Sequence, residues 1–193
     1  IFFGIQLLLW TVSGIYFSWT NIKHIKGDDI RKEEPYLNLS KAVISPVVAI
    51  QTISNKDTVI AVQAVQIISV LDSFYYQVIF NNEYRTKARL VNVTTGCLRN
   101  LLDETEAIAV AKSRLSTAGA VTGIKYVSKV SSGHEYRNKP LPAYAITFDG
   151  AINSTVYVST ELGTVQSLRN SDWRIYDVLW MMHTMDFNDR SNF

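Results

Sequence analysis

The sequence predicts an α+β protein in which two tandem copies of one unit, each a helix packed on a three-stranded antiparallel sheet, lie between an apolar N-terminal helix and an amphipathic C-terminal one. Three observations predict it. Residues 1–20 hold no charged side chain. The stretch 37–170 is written twice, with helical and alternating segments in the same order. Residues 173–186 place Tyr176, Trp180 and His183 at four- and three-residue spacing.

The apolar start comes first. A bilayer core needs roughly 20 apolar residues at about 1.5 Å rise each. IFFGIQLLLWTVSGIYFSWT and the two residues after it meet that length, with Gln6, Thr11, Ser13, Ser18, Thr20 and Asn21 as the polar interruptions. Small hydroxyls are tolerated there because they bond back to their own helix. Residues 1–22 are therefore expected to form a transmembrane helix, with Tyr16 and Trp19 in an interfacial belt at its exit. Lys23, His24 and Lys26 mark the step into water. A cleaved signal peptide would need a basic start, a shorter apolar stretch and a small-residue cleavage site, and none is visible. No initiating Met precedes the run, so further residues are expected across the membrane. A single flank gives no orientation from its positive charges.

With 47% hydrophobic and 19% charged residues and a net charge of +2, the chain is neither disordered nor built to bind a polyanion. No nucleic-acid partner is expected. One cysteine, Cys97, excludes an internal disulfide and a cysteine-rich metal site, and it is expected to be a small buried or edge residue. Residues 23–36 alternate basic and acidic side chains around Gly27 and read as a solvated connector ended by Pro35. The spacing of Asp28, Asp29, Glu33 and Glu34 matches no calcium loop, and Lys26, Arg31 and Lys32 neutralise them.

The first copy, residues 37–101, opens with LNLSKAV, passes an alternating stretch over Ile60–Val70, and reaches YYQVIF (75–80) and LVNVTTGCL (90–98). The second, residues 102–170, opens with LDETEAI and a strand candidate over Ile124–Val130, then reaches AYAITF (143–148) and VYVSTELGTV (156–165). Ser40 and Thr105 are the expected N-caps, and Asp103, Glu104 and Glu106 suit a helix N-terminus in the second. Period-two alternation marks the later segments as half-buried strands. Asn81-Asn82 and Asp149-Gly150 are the hairpin turns, and Gly96 and Gly163 close the following strands where positive φ is wanted. Continuous pairing of the two sheets would join and protect their edges.

At these residues the chain resembles the PepSY domain family: TEAIAVAKSRL (105–115), PAYAITF (142–148) and the strand-then-glycine VYVSTELGTV (156–165) carry the likeness. GIQLLLWTVSGIYFSW (4–19) and WRIYDVLWMMHTMDF (173–187) resemble the helices flanking the domains in PepSY-associated transmembrane proteins. The resemblance implies a periplasm-facing pair of modules in a bacterial inner membrane. Residues 171–193 would lead to a second membrane helix beyond Phe193. Pro46 departs from the pattern and is expected to interrupt the first helix, since an interior proline costs around 3 kcal/mol.

No nucleophile constellation, metal-protease motif or glycine-rich phosphate loop occurs, so no catalytic and no metal-ligating residue is expected. His24 reads as interfacial and His134, in SSGHEYRNKPLP, as a solvated loop residue. Read as a helix, residues 173–186 form an amphipathic surface that could lie on the membrane. In membrane proteins of this type that reduce ferric iron, histidines near helix ends are proposed haem ligands. His183 is the one candidate here, outweighed by a packing or interfacial role, and an axial pair needs a second donor. No cofactor is required, with haem as the alternative. The expected role is a non-catalytic interaction or regulatory subunit, partnered by the lipid bilayer and other membrane subunits. The rivals are an accessory part of a haem-dependent ferric-siderophore reductase and a protease inhibitor or chaperone.

Overall fold

The computed structural model describes residues 2–33, 36, 40, 43–150 and 153–185. Among these the protein is α+β, with five helices and two antiparallel sheets of three and four strands. In chain order the elements are α1 (Phe2–Trp19), α2 (Ile22–Lys26), α3 (Pro46–Ser54), β1 (Ala61–Val70), β2 (Ser73–Asn81), β3 (Thr86–Asn92), α4 (Glu104–Ser113), β4 (Val121–Val127), β5 (Ala143–Phe148), β6 (Thr155–Ser159), β7 (Val165–Arg169) and α5 (Ser171–Thr184).

Local chemistry sets the helix starts, and it corrects both expected caps. Ser45 caps α3, its hydroxyl accepting from the Val47 amide at 3.2 Å, and Pro46 occupies the first turn. There its missing N–H costs nothing and its fixed φ suits the helix, so Pro46 begins the helix rather than interrupting it. The expected opening at Leu37–Leu39, Lys41 and Ala42, like Pro35, lies outside the described residues. In the second copy Asp103, not Thr105, is the cap. Its carboxylate accepts from the Glu106 amide at 2.8 Å and Glu106 returns the bond to the Asp103 amide at 3.2 Å, a reciprocal capping box.

The two sheets run in the orders β1-β2-β3 and β4-β5-β6-β7. The expected hairpins at Asn81-Asn82 and Asp149-Gly150 join β2 to β3 and β5 to β6. The run 90–98, expected as one strand, stops at Asn92. The Gly96 amide donates to Asn92 O at 3.0 Å and the Asn92 amide to Cys97 O at 2.9 Å. Gly163 donates to Ser159 O and Ser159 to Thr164 O at 3.0 and 3.1 Å. The same turn thus recurs at the same offset, with φ of +74° at Gly96 and +72° at Gly163. After it the first copy makes one bridge, Val91 to Leu98, whereas the second continues into β7. Cys97 is exposed in this turn, not buried.

Among the described residues the two sheets do not pair edge to edge. Tyr76, Val78, Phe80, Val91 and Val93 put one face of the first sheet against Ala49 and Ile53 of α3. On its other face Ile68, Val70 and Leu90 join the largest core, with Val110 of α4 and Ile146, Phe148, Val156 and Val158 of the second sheet. Gln77, buried between the repeats, donates to Leu162 O at 2.7 Å, and Arg85 forms an ion pair with the buried Glu161. Each side chain the size of valine or phenylalanine in this core stabilises the fold by about 1.5–3 kcal/mol.

The loop between β4 and β5 and helix α5 cover the outer face of the second sheet. Tyr136 stacks on Tyr157 with centroids 4.4 Å apart. Glu135 accepts from Tyr157 Oη and Arg174 Nε, each at 2.8 Å, and Arg137 pairs with Asp177 at 2.8 Å with both side chains buried. Burial pushes the Glu135 carboxyl up, but bonds from Arg174 and Tyr157 outweigh it and hold the group below its usual range.

The expected connector is only partly solvated. Ile25 is buried, Arg31 bridges Leu115, and the Lys32 amide donates to Arg114 O at 2.8 Å. Gly27, at φ +71°, passes so close to β7 that a Cβ there would stand 2.6 Å from Leu168 Cδ2. No helix among the described residues is long and apolar enough to cross a membrane, so the expected spanning helix over 1–22 is not supported. α1 has 18 residues, about 27 Å, against a core of about 30 Å, and part of its surface is committed to α5.

Candidate functional site

The residues singled out in the terminal segments meet where α1 packs on α5. Asn170 caps α5, its side chain accepting from the Trp173 amide at 2.7 Å, which directs the helix back along α1. The face of Tyr176, Trp180 and His183 therefore turns toward α1. Phe17 sits among those three rings, with centroids at 4.8 Å from Tyr176, 5.7 Å from Trp180 and 5.5 Å from His183. Ile25, Trp173 and Tyr176 form the buried centre of this cluster. Offset and edge-on arrangements of this kind add about 0.5–1.5 kcal/mol per pair beyond area burial. Residues 186–193, including the end of the expected amphipathic stretch, lie outside the described residues.

His183 is seated by one polar contact. Its Nδ1 lies 2.8 Å from Ser13 Oγ, and Ser13 is 2% exposed. Ser13 has one hydroxyl proton. It can go to Leu9 O, 2.7 Å away, as Thr11 and Ser18 donate to Leu7 O and Gly14 O, leaving Nδ1 as the donor, or to Nδ1 itself, so the bond is compatible with either imidazole tautomer. Nε2 has no hydrogen-bond partner among the described residues. Trp10, 6.2 Å away, and Phe17 flank the ring.

The other two histidines do not join it. His24 Nδ1 lies 2.8 Å from Asp29 and Nε2 3.5 Å from Asp172, tying α2 to the start of α5. The Asp29 bond and charge raise its pKa above the usual 6.5. His134 is half-buried, with Nδ1 accepting from the Tyr136 amide at 3.0 Å and its ring edge-on to Tyr157. Among the described residues no group of three His, Cys, Asp or Glu could hold a metal ion. The site therefore offers one imidazole, with Nε2 unpartnered among the described residues, between the apolar α1 and the amphipathic α5.

Away from α5, α1 presents an apolar strip: Phe3 is 85% and Trp19 87% exposed, and Leu7, Leu8 and Ile15 stand between them. Val178 and Ile175 of α5 are also exposed. Isolated exposed apolar residues are ordinary, but a contiguous strip marks an interaction surface. The edge strands β1 and β4 are a second such feature. Ala61–Ala64 are exposed along β1, leaving main-chain groups open to another strand.

Sequence reasoning placed Tyr176, Trp180 and His183 on one face. It missed Ser13, whose place in a run of hydroxyls carries no mark of a histidine partner, and it missed the polar cover of the second sheet. The dense run Glu135-Tyr136-Arg137 was the available signal for that cover. The chain matches no protein-family model, no curated protein and no solved structure.

Proposed function

We propose that this protein is a membrane-associated interaction or regulatory module of PepSY type, its two helix-on-sheet repeats facing the bacterial periplasm and its paired helices α1 and α5 meeting the inner membrane. The observation that carries this reading is the exposed apolar strip of α1. A strip of this kind enters the boundary between head groups and acyl chains and gains by burial there. The open edges of β1 and β4 suit pairing with a strand of another membrane subunit, where main-chain bonds supply affinity. Flotation of the full chain with phosphatidylcholine vesicles tests the membrane step. The protein is expected to float, and Leu7→Asp with Leu8→Asp to weaken partition by at least about tenfold. Unchanged flotation of that variant, or a parent that stays at the bottom of the gradient, refutes the reading.

A second reading rests on His183. With Nδ1 donating to Ser13 Oγ, 2.8 Å away, Nε2 would be left to hold haem, which is what an electron-transfer subunit would ask of this residue. Bound haem would supply one-electron chemistry there. Neither His24 nor His134 lies in this aromatic cluster, so a second axial donor would come from elsewhere. Oxidised and dithionite-reduced spectra of the protein purified in mild detergent decide it. A reduced haem band lost in His183→Ala supports the electron-transfer reading, and a flat spectrum removes it.

A further inference from the structure

Four cationic side chains from four separate segments converge on one cavity of about 190 Å³. Lys26 comes from the end of α2, Arg31 from the segment after it, Lys139 from the long β4–β5 loop and Arg169 from β7. Among the described residues Asp28 is the one carboxylate in the lining, and it is exposed. None of the four cations makes an ion pair among the described residues. The wall also holds Ser167, which is 4% exposed and whose hydroxyl has no hydrogen-bond partner among the described residues.

The protein holds these groups in place rather than leaving them to spread into water. Arg169 lies 3.9 Å over the Trp173 ring, and its Nε donates to Glu135 O at 3.1 Å. The bridge to Leu115 pins the Arg31 backbone, and the close approach of Gly27 to Leu168 sets Lys26 beside β7. Burial, then the charges of Arg169, Lys26 and Arg31, lower the Lys139 pKa from its usual value. Like charges gathered around a buried, unsatisfied hydroxyl are unfavourable on their own, and an anion in the cavity offsets them by attracting each cation and giving the hydroxyl an acceptor.

We propose that this cavity is a binding site for a phosphate-type oxyanion, with Lys26, Arg31, Lys139 and Arg169 neutralising it and the Ser167 hydroxyl donating to one of its oxygens. Guanidinium and ammonium donors around one point match a tetrahedral anion with several acceptor oxygens. The volume leaves room for a small substituent, so the ligand is a free phosphate, a phosphomonoester or the phosphate of a lipid head group. The site is independent of the membrane reading, because α2 and β7 form it without the apolar strip of α1.

The test is titration of the full chain in mild detergent with inorganic phosphate at constant ionic strength, followed by amide NMR and calorimetry. Saturable binding is expected, with shifts at Ser167 and Arg169, weakened at least about tenfold in Lys139→Gln with Arg31→Gln. Both substituted residues lie outside the buried core, and unchanged urea unfolding of the variant shows that the fold is kept. Absence of saturation by about 10 mM phosphate, equal saturation by chloride, or binding that the double variant leaves unchanged overturns the proposal. Vesicles distinguish the sources. If phosphatidic acid in phosphatidylcholine raises flotation of the parent but not of the double variant, the ligand is a lipid head group. If phosphate binds and both proteins float alike on the two vesicles, the ligand is a soluble phosphate compound. Failure of the strip variant to float bears on the membrane reading alone.

Discussion

Replacing Gly96 and Gly163 by alanine, one at a time, separates backbone strain from packing between the repeats. Both glycines lie at positive φ, +74° and +72°, in turns closed by the same amide-to-carbonyl bond. An alanine in that region costs about 1–2 kcal/mol, offset by about 0.4–1 kcal/mol from its narrower unfolded ensemble. At Gly96 the nearest atom to a new Cβ is Ile44 Cδ1 at 3.7 Å, an ordinary contact, so the net cost there is about 1 kcal/mol. At Gly163 the Cβ would stand 2.7 Å from Leu90 Cδ1 and 3.0 Å from Val70 Cγ2, both buried in the first sheet. Overpacking of that degree adds about 1–3 kcal/mol, for a total of about 2–4 kcal/mol. Urea unfolding by tryptophan fluorescence and far-UV circular dichroism measures both values, with coincident curves confirming one transition and equal slopes licensing the comparison of midpoints. Equal losses, or a larger one at Gly96, would refute the docking of the two sheets across Gly163.

Three further outcomes are expected. Asp177→Ala removes half of the buried pair with Arg137 and should cost about 3–5 kcal/mol in urea unfolding, with a smaller loss in the Arg137→Met, Asp177→Leu double variant. Asp57 has its pKa lowered, chiefly by the Arg89 bond, so its stabilising contribution is present above the ordinary carboxylate range and is lost as pH falls through the lowered folded value. The deficit of Asp57→Asn against the parent should therefore be full at neutral pH and vanish in acid. His24 has the opposite sign. Its raised pKa gives a contribution present below its ordinary pKa of about 6.5 and lost as pH rises through the folded value. Imidazole NMR should find the pKa above that ordinary value, and Asp29→Asn should lower it.

Much of the secondary structure was legible because it rests on local signals. The alternation over 75–80 and 143–148 survives as β2 and β5, and the glycines at 96 and 163 occupy the left-handed positions their turns require. The helix starts were misread by a few residues for one physical reason. A cap is chosen by which side chain can reach a free amide, and Ser45 and Asp103 reach theirs where Ser40 and Thr105 had only the right residue type. β7 was not anticipated, because Leu162-Gly163-Thr164 reads equally as a strand end, the expected reading, or as a tight turn between two strands.

The docking of the repeats could not be read at all, and the same limit governs both sites. Gln77 alternates correctly as a polar residue on the outer side of a half-buried strand, yet it is 2% exposed because the second repeat covers that face and Leu162 supplies its acceptor. Periodicity reports which residues share a face, and it is silent on whether water or another sheet lies opposite. The same silence hides Ser13 behind His183, and it hides Lys26, Arg31, Lys139 and Arg169 from one another across more than a hundred residues of chain. A net charge of +2 argues against binding a long polyanion, but it averages over the surface and says nothing of four cations around one cavity. Charge becomes chemistry only where the fold gathers it, and here the gathering is done by the backbone approach at Gly27, the Arg31–Leu115 bridge and the Arg169–Trp173 stack.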